Sequence, residues 1–303
     1  MGGVALSSLQ PFLAPFDVPV GSVVYHGDAY EILQRLPPQV CQTAVTSPPY
    51  WGLRDYETPD QIGAEERVED YVERLVLVFR ELRRVLRDDG TLWLNLGDCY
   101  TSGGRTWRAP DKKNPARAMS YRPPTPDGLK PKDLVGVPWR VAFALQADGW
   151  YLRSEIIWHK PNPLPESVKD RPARAHETIF LLSKSGKYFY DYEAIQERGV
   201  NGKSRSRRTV WTVRTEPFKG AHFATFPPKL IRPCILAGSR EGDFVIDPFF
   251  GAGTTGLVAA LNGRRFIGIE IKAEYIELAR ERLNQYGVSF RAAELHSEGL
   301  LVK

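Results

Sequence analysis

The chain has 303 residues, a formal net charge of +5, 42% hydrophobic and 25% charged residues. That length fits one large α/β domain with insertions or two small ones, and the composition is globular, so disorder is not the expectation. No apolar run reaches the roughly 20 residues of a membrane span, and the three cysteines, Cys41, Cys99 and Cys234, have neither metal-ligand spacing nor the look of a disulfide framework.

Residues 1–20 read poorly as a secretory leader, because no basic start precedes their apolar stretch and Asp17 interrupts them. A cytoplasmic protein without membrane contact is therefore expected. The positive charge is uneven. Residues 101–132 hold eight basic side chains, among them Arg105, Arg108, Lys112 and Lys113, against Asp111 and Asp127. Residues 198–214 hold six, including Lys203, Arg205, Arg207 and Arg208, and no acid. Solvated loops explain such clusters, and so does phosphate binding.

There is no internal repeat. Short β-rich runs alternate with helical patterns, which predicts an α/β sheet. Strands are expected at 22–25, 42–46, 91–96, 153–158, 178–182, 244–247 and 266–270. The clearest helix is 68–87, where apolar residues recur at three- and four-residue spacing until Asp88-Asp89-Gly90 stops it. Further helices are expected at 134–147, 229–237, 254–262 and 273–286. Residues 101–132, rich in proline and glycine, and residues 199–208 read as basic loops that order when a nucleic acid arrives.

Two short motifs carry the chemistry. Asp247-Pro248-Phe249-Phe250-Gly251-Ala252-Gly253-Thr254 follows a buried strand and opens a helix, the strand–turn–helix context that a glycine loop needs to hold a nucleotide. Gly251 and Gly253 let a ligand lie against backbone N–H groups, and the helix start at Thr254 suits a ligand carboxylate. Glu270 ends the next strand, where an acid accepts hydrogen bonds from two ribose hydroxyls. The alternatives are a dinucleotide site or a turn that only packs. A missing G-x-G-x-x-G register and the lack of a phosphate-loop lysine favour S-adenosylmethionine.

The second motif is Thr46-Ser47-Pro48-Pro49-Tyr50. An exocyclic amine on a base is a poor nucleophile because its lone pair is delocalised into the ring. Acceptors that hold its hydrogens expose that pair, and Ser47 Oγ and the Pro48 carbonyl are candidates. Pro48 and Pro49 stiffen the backbone that presents them. Tyr50 offers a face on which a flipped base can stack. The alternative is an ordinary strand-ending turn. If 42–46 and 244–247 are neighbouring parallel strands, both motifs share the crevice at their carboxyl ends.

In this order, the catalytic motif before the cofactor motif, the chain resembles the β-group of bacterial DNA amino-methyltransferases. His26-Gly27-Asp28-Ala29 is similar to the early motif whose aspartate lies near the cofactor adenine. His222-Phe223-Ala224-Thr225-Phe226-Pro227 is similar to the motif lining the methionine pocket. Ile157 to Pro163 and Arg174-Ala175-His176-Glu177 resemble later blocks. The resemblance implies one class I S-adenosylmethionine-dependent domain over 1–303, circularly permuted, its sheet mostly parallel with one antiparallel strand. It implies cofactor contacts from Asp28, Thr225, Asp247, Phe249, Gly251, Gly253, Thr254 and Glu270. Serine before Pro-Pro-Tyr implies methylation of cytosine N4, and aspartate there implies adenine N6. Recognition falls to a short segment at 191–219, shared with the 101–132 insertion. Double-stranded DNA is the expected partner, and a homodimer and a cognate restriction endonuclease are compatible with the family. RNA or protein-amide methylation, and an inactive DNA-binding protein, remain the competing readings.

Other residues carry less. Cys234 falls in a helical stretch, which favours a buried structural thiol over a nucleophile. Asp98 and Tyr100 follow a strand end and are candidates for the target pocket or for solvated positions. Trp158 and Trp211 fit base stacking or the core. His159 and His176 lack metal-ligand spacing, so no metal is expected. Glu65, Glu66, Glu69, Asp70 and Glu73 read as a solvated first helical turn.

Overall fold

The computed structural model describes residues 21–53, 61–102, 123–216, 226–296 and 299–302. In chain order its elements are β1 (Val23–His26), α1 (Ala29–Arg35), β2 (Cys41–Thr46), α2 (Val68–Val85), β3 (Leu86–Leu96), α3 (Val137–Ala147), β4 (Tyr151–His159) and β5 (His176–Ser183). There follow a 3₁₀ turn (Glu193–Ile195), β6 (Glu197–Arg198), β7 (Ser204–Arg205), β8 (Val210–Thr212), α4 (Pro228–Gly238), β9 (Phe244–Asp247), α5 (Thr254–Leu261), β10 (Arg265–Glu270), α6 (Ala273–Asn284), β11 (Arg291–His296) and β12 (Gly299–Val302).

The main sheet has the order β12-β11-β1-β10-β9-β2-β3-β5-β4-β8. From β11 to β3 every pairing is parallel. The expected antiparallel strand is β5, paired between β3 and β4. A second one, β12, closes the far edge against β11. Successive strand residues point to opposite faces, and the core divides accordingly. Val23, Tyr25, Ala44, Leu92, Leu94, Ile246 and Ile267 pack with α1, α2 and α3. Val24, Val45, Trp93, Val245 and Phe266 pack with α4, α5 and α6. Because both faces are covered, β2 and β9 are buried along their whole length.

The helical period of α2 is realised as read, with Val68, Tyr71, Leu75, Val78, Phe79, Leu82 and Val85 buried. Its end differs. The helix stops at Val85, and Asp88-Asp89-Gly90 lies inside β3, in a register shift where Cys41 pairs with Leu86 and Thr43 with Thr91. Helix α3 begins at Val137, three residues later than expected, because Gly136 takes φ 77° and Asp98 Oδ1 caps the N–H groups of Gly136 and Val137. Asp98 is thus a structural cap rather than a solvated strand end. Residues 199–208 are also a correction. Residues 199–203 form a turn between the paired strands β6 and β7, closed by Gly199 N–H on Lys203 O at 2.8 Å, and β7 itself lies within the segment. The acidic turn before α2 is only partly solvated. Glu65 keeps 7% of its side chain exposed and pairs with Arg74 at 3.1 Å.

Candidate active site

Strands β2 and β9 are neighbours in parallel register, with Thr43 opposite Val245 and Ala44 opposite Ile246. The two chemical motifs therefore leave the sheet side by side at its carboxyl rim. Side chains stitch them together. Asp247 Oδ1 accepts from Thr46 Oγ1 at 2.6 Å and from Phe249 N–H at 3.0 Å, while Asp247 Oδ2 accepts from Thr255 Oγ1 at 2.7 Å. Thr255 also reaches the Val45 carbonyl at 3.1 Å. Burial pushes the Asp247 carboxyl up to about 6 against these bonds, which pull it down.

The glycine turn is built as the sequence suggests, with one reassignment. Gly251 takes φ 51°, and a Cβ there would meet only the Phe249 carbonyl, at 4.0 Å, so its front is open to a ligand. Gly253, at φ 74°, faces the other way. A Cβ on it would lie 3.0 Å from Ala279 and Leu283 of α6, and its N–H is taken by the Phe250 carbonyl. Its small size serves helix packing rather than ligand approach. Thr254 is turned to Arg282 at 2.8 Å, leaving its backbone, not its hydroxyl, at the start of α5. Phe249 sets its ring edge-on to Phe79, centroids 6.4 Å apart.

Glu270 lies behind this turn. Its Oε2 accepts from Gly251 N–H at 2.8 Å and its Oε1 from Lys272 N–H at 3.0 Å. Burial, with Asp247 adding to it, pushes the carboxyl up to about 7 in spite of those bonds. Beside it, β1 pairs His26 with Glu270, and Gly27 N–H bonds the Glu270 carbonyl at 3.0 Å. Asp28 is thereby delivered to the same rim, where its Oδ1 caps α1 through Tyr30 and Glu31 N–H. A buried carboxylate held only by neutral backbone donors has lone pairs to spare for hydroxyl groups, and open space stands before Gly251. This donor and acceptor set fits the ribose of S-adenosylmethionine.

On the β2 side, Ser47 is half-buried and Pro48 is buried. Tyr71 Oη fixes the Pro49 carbonyl at 2.8 Å. The Tyr50 ring lies on Gly97, where a Cβ would fall 2.5 Å from its Cε2. Its hydroxyl bonds Ser47 Oγ at 3.2 Å, Asn95 Nδ2 at 2.8 Å and Glu177 Oε2 at 2.8 Å. Lys160 Nζ pairs with Glu177 Oε1 and sits 4.1 Å over the Trp158 ring. Burial pushes the Tyr50 phenol well above its ordinary value, and the Glu177 charge adds to that.

Asn95 and Gly97 are absent from the sequence reading, and Lys160 and Glu177 enter it only inside blocks that resemble the family's, with no role assigned. A signal was present: Asn95 interrupts an apolar strand, and Glu177 opens one. What brings them together is the antiparallel course of β5, which puts its amino end at the carboxyl rim of β3 and β4.

Of the remaining expectations, Trp158 and Trp211 are core residues, 3% and 4% exposed. Cys234 is fully buried, and burial pushes its thiol up, so it is inert. Arg205 pairs with Glu197 at 2.8 Å and Arg207 stacks on Trp211 at 4.7 Å, whereas Lys203 and Arg208 are exposed. Thr225, Arg105, Arg108, Lys112 and Lys113 lie outside the described residues. Among the described residues, no helix is long and apolar enough to cross a membrane.

The fold and this rim define a class I methyltransferase whose cofactor is S-adenosylmethionine. Residues 41–281 match the DNA methylase family of N6 and N4 methyltransferases, and the chain belongs to it. It is 61% identical over 263 residues to the type II methyltransferase M.Cfr9I of Citrobacter freundii, covering 87% of this chain and 88% of that protein. M.SmaI of Serratia marcescens is 62% identical over 259 residues, 85% of this chain and 89% of its own length. Among solved structures, the putative DNA modification methylase TTHA0409 of Thermus thermophilus, in complex with S-adenosyl-L-methionine, superposes with a TM-score of 0.61 at 27% identity, over 91% of this chain and all of that one. The cytosine-N4-specific PvuII DNA methyltransferase gives 0.67 at 22% identity over 88% of each chain, a likeness of fold.

Proposed function

We propose that this DNA methyltransferase transfers a methyl group to the N4 amine of a cytosine flipped out of duplex DNA. The observation that carries the reading is Ser47 itself. A neutral hydroxyl, not a carboxylate, stands before Pro48-Pro49-Tyr50, one residue beyond the Thr46–Asp247 bond that ties it to the cofactor turn.

When bound, S-adenosylmethionine supplies an electrophilic methyl on a sulfonium and leaves as a neutral thioether. The protein supplies position. Glu270 would accept from the ribose hydroxyls, and the N–H groups at the start of α5 would hold the cofactor carboxylate. Ser47 Oγ accepts one hydrogen of the target amine, and the Pro48 carbonyl accepts the other. Held in this way, the nitrogen turns its lone pair toward the methyl, positive charge developing on it is met by acceptors already in place, and the methylated nitrogen then sheds one of its two hydrogens as a proton to solvent. The Tyr50 ring stacks on the flipped base. Substrate contacts are assigned to residues 191–219 and to the 101–132 insertion, with Lys203 and Arg208 on phosphates. A cognate restriction endonuclease is the partner that this activity fits.

The test is mass spectrometry of nucleosides from duplex DNA incubated with the protein and S-adenosylmethionine. N4-methylcytosine is expected. N6-methyladenine in its place overturns the cytosine assignment, and an unmodified DNA overturns the substrate.

A further inference from the structure

Four side chains behind Ser47 form one hydrogen-bonded chain, and counting its protons gives it a direction. Glu177 is ionised. Burial alone would raise its carboxyl, but the Lys160 ammonium and the bonds from Lys160, Asn95 and Tyr50 hold it below the ordinary value. A carboxylate has no proton to give, so the Tyr50 hydroxyl donates to Glu177 Oε2. Asn95 turns its NH2 group to the same oxygen at 3.0 Å. The Tyr50 oxygen is then left to accept, from Asn95 Nδ2 and from Ser47 Oγ. The one proton of Ser47 is spent on Tyr50, one of its lone pairs faces Asn95 Nδ2 at 3.4 Å, and only a lone pair remains for another donor.

We propose that Glu177 is a positioning residue: acting through the Tyr50 hydroxyl, it fixes the proton direction of Ser47 so that Ser47 meets the target amine as an acceptor only. The inference rests on the reading that Ser47 holds an amine hydrogen. Direction matters because a freely rotating hydroxyl can point its proton at the nitrogen lone pair, the pair that has to attack. Lys160, braced on Trp158, keeps Glu177 charged and so keeps the chain oriented. Tyr50 has two jobs on this view, with the ring for stacking and the hydroxyl for orientation.

A double-mutant cycle tests it, with kcat, DNA KM and cofactor Kd by calorimetry measured for the full chain. Tyr50→Phe keeps the ring, and Glu177→Gln keeps the volume. Each is expected to lower kcat about 10- to 100-fold with DNA KM and cofactor Kd within about twofold. The double variant is expected to lose no more than the worse single one, because both break the same chain. Glu177→Gln/Lys160→Met leaves no unpaired buried ammonium and is expected to fold, to bind the cofactor normally and still to lose turnover. Wild-type kcat in Tyr50→Phe or in Glu177→Gln/Lys160→Met, or a double variant whose loss is the product of the single losses, overturns the proposal. The cycle reads the same way whether the product is N4-methylcytosine or N6-methyladenine, so failure of the cytosine assignment and failure of the relay are separate results.

Discussion

Thr46 Oγ1 donates to Asp247 Oδ1 across 2.6 Å, joining the ends of two strands that lie 201 positions apart in the chain. The same carboxylate holds Thr255 and the Phe249 N–H, so a single side chain sets the end of β2 against the glycine turn.

Asp247→Ala is therefore expected to do more than remove a charge. It leaves the buried Thr46 hydroxyl without its acceptor, at about 1–3 kcal/mol, while Thr255 keeps the Val45 carbonyl. Denaturant unfolding is expected to show that loss, and calorimetry a weaker cofactor affinity in the same variant. Unchanged affinity would separate the two motifs.

Glu270 makes the protein pH-dependent in a definite direction. Its carboxyl stands at about 7 in the fold against an ordinary 4.5, and Asp247 at about 6 against 3.8. The folded state therefore binds more protons than the unfolded one between those values, and stability of the cofactor-free protein falls as pH rises from about 4 to 7. If Glu270 takes the ribose hydroxyls, it does so best as the ionised carboxylate, so binding is expected to release a proton and affinity to climb with pH until about 7. Calorimetry in buffers of different ionisation enthalpy counts that proton. Glu270→Gln is expected to flatten the profile, and Glu270→Ala to weaken binding outright.

Gly268 is expected to resist any side chain. A Cβ there would lie 2.5 Å from Phe250 Cδ2, and one on Gly256 would lie 2.7 Å from Phe250 Cζ, with the ring already stacked on Phe266 at 5.6 Å. Gly268→Ala should cost about 1–3 kcal/mol by overpacking. Thermal melts of Gly268→Ala/Phe250→Leu should recover part of it, since the smaller side chain gives way.

The basic residues divide by their surroundings. If Lys203 and Arg208 meet phosphates, Lys203→Ala and Arg208→Ala each reduce the salt slope of DNA binding by about 1 without lowering the melting temperature. Arg207→Ala is expected to lower the melting temperature instead, because it uncovers Trp211. Filter binding across a salt series, run beside melts, distinguishes the two patterns.

The run from Phe244 to Glu270 was legible in the sequence almost to the residue, because a doubly covered strand, a glycine turn and a helix start each have a local signature. Helix α1 was not. At seven residues it is too short to declare a period, and it exists because Asp28 caps one end while Arg84 bonds the carbonyls of Leu33 and Leu36 at the other. Strand β11 was likewise hidden, since Arg291–His296 has little strand character of its own and is held by β1 and β12. The site shows the same split. Ser47, Tyr50 and Glu270 stand in motifs that the sequence displays and Glu177 in a family-like block, whereas the contact of Asn95 with Glu177 comes only through the pairing of β3 with β5. No local rule predicts that pairing.

The strand order also dictates when the protein can take shape as it is made. Strand β1 lies between β10 and β11, and β2 lies beside β9, so the strands nearest the amino terminus wait for partners among those synthesised last. Until residue 244 has left the ribosome, β2 has a bare backbone edge on that side. A nascent chain in that condition is open to wrong pairing. The rim that joins the two motifs then arrives all at once, with residues 244–270, and a chain cut short before β9 holds Ser47 and Tyr50 without the glycine turn and Glu270 beside them.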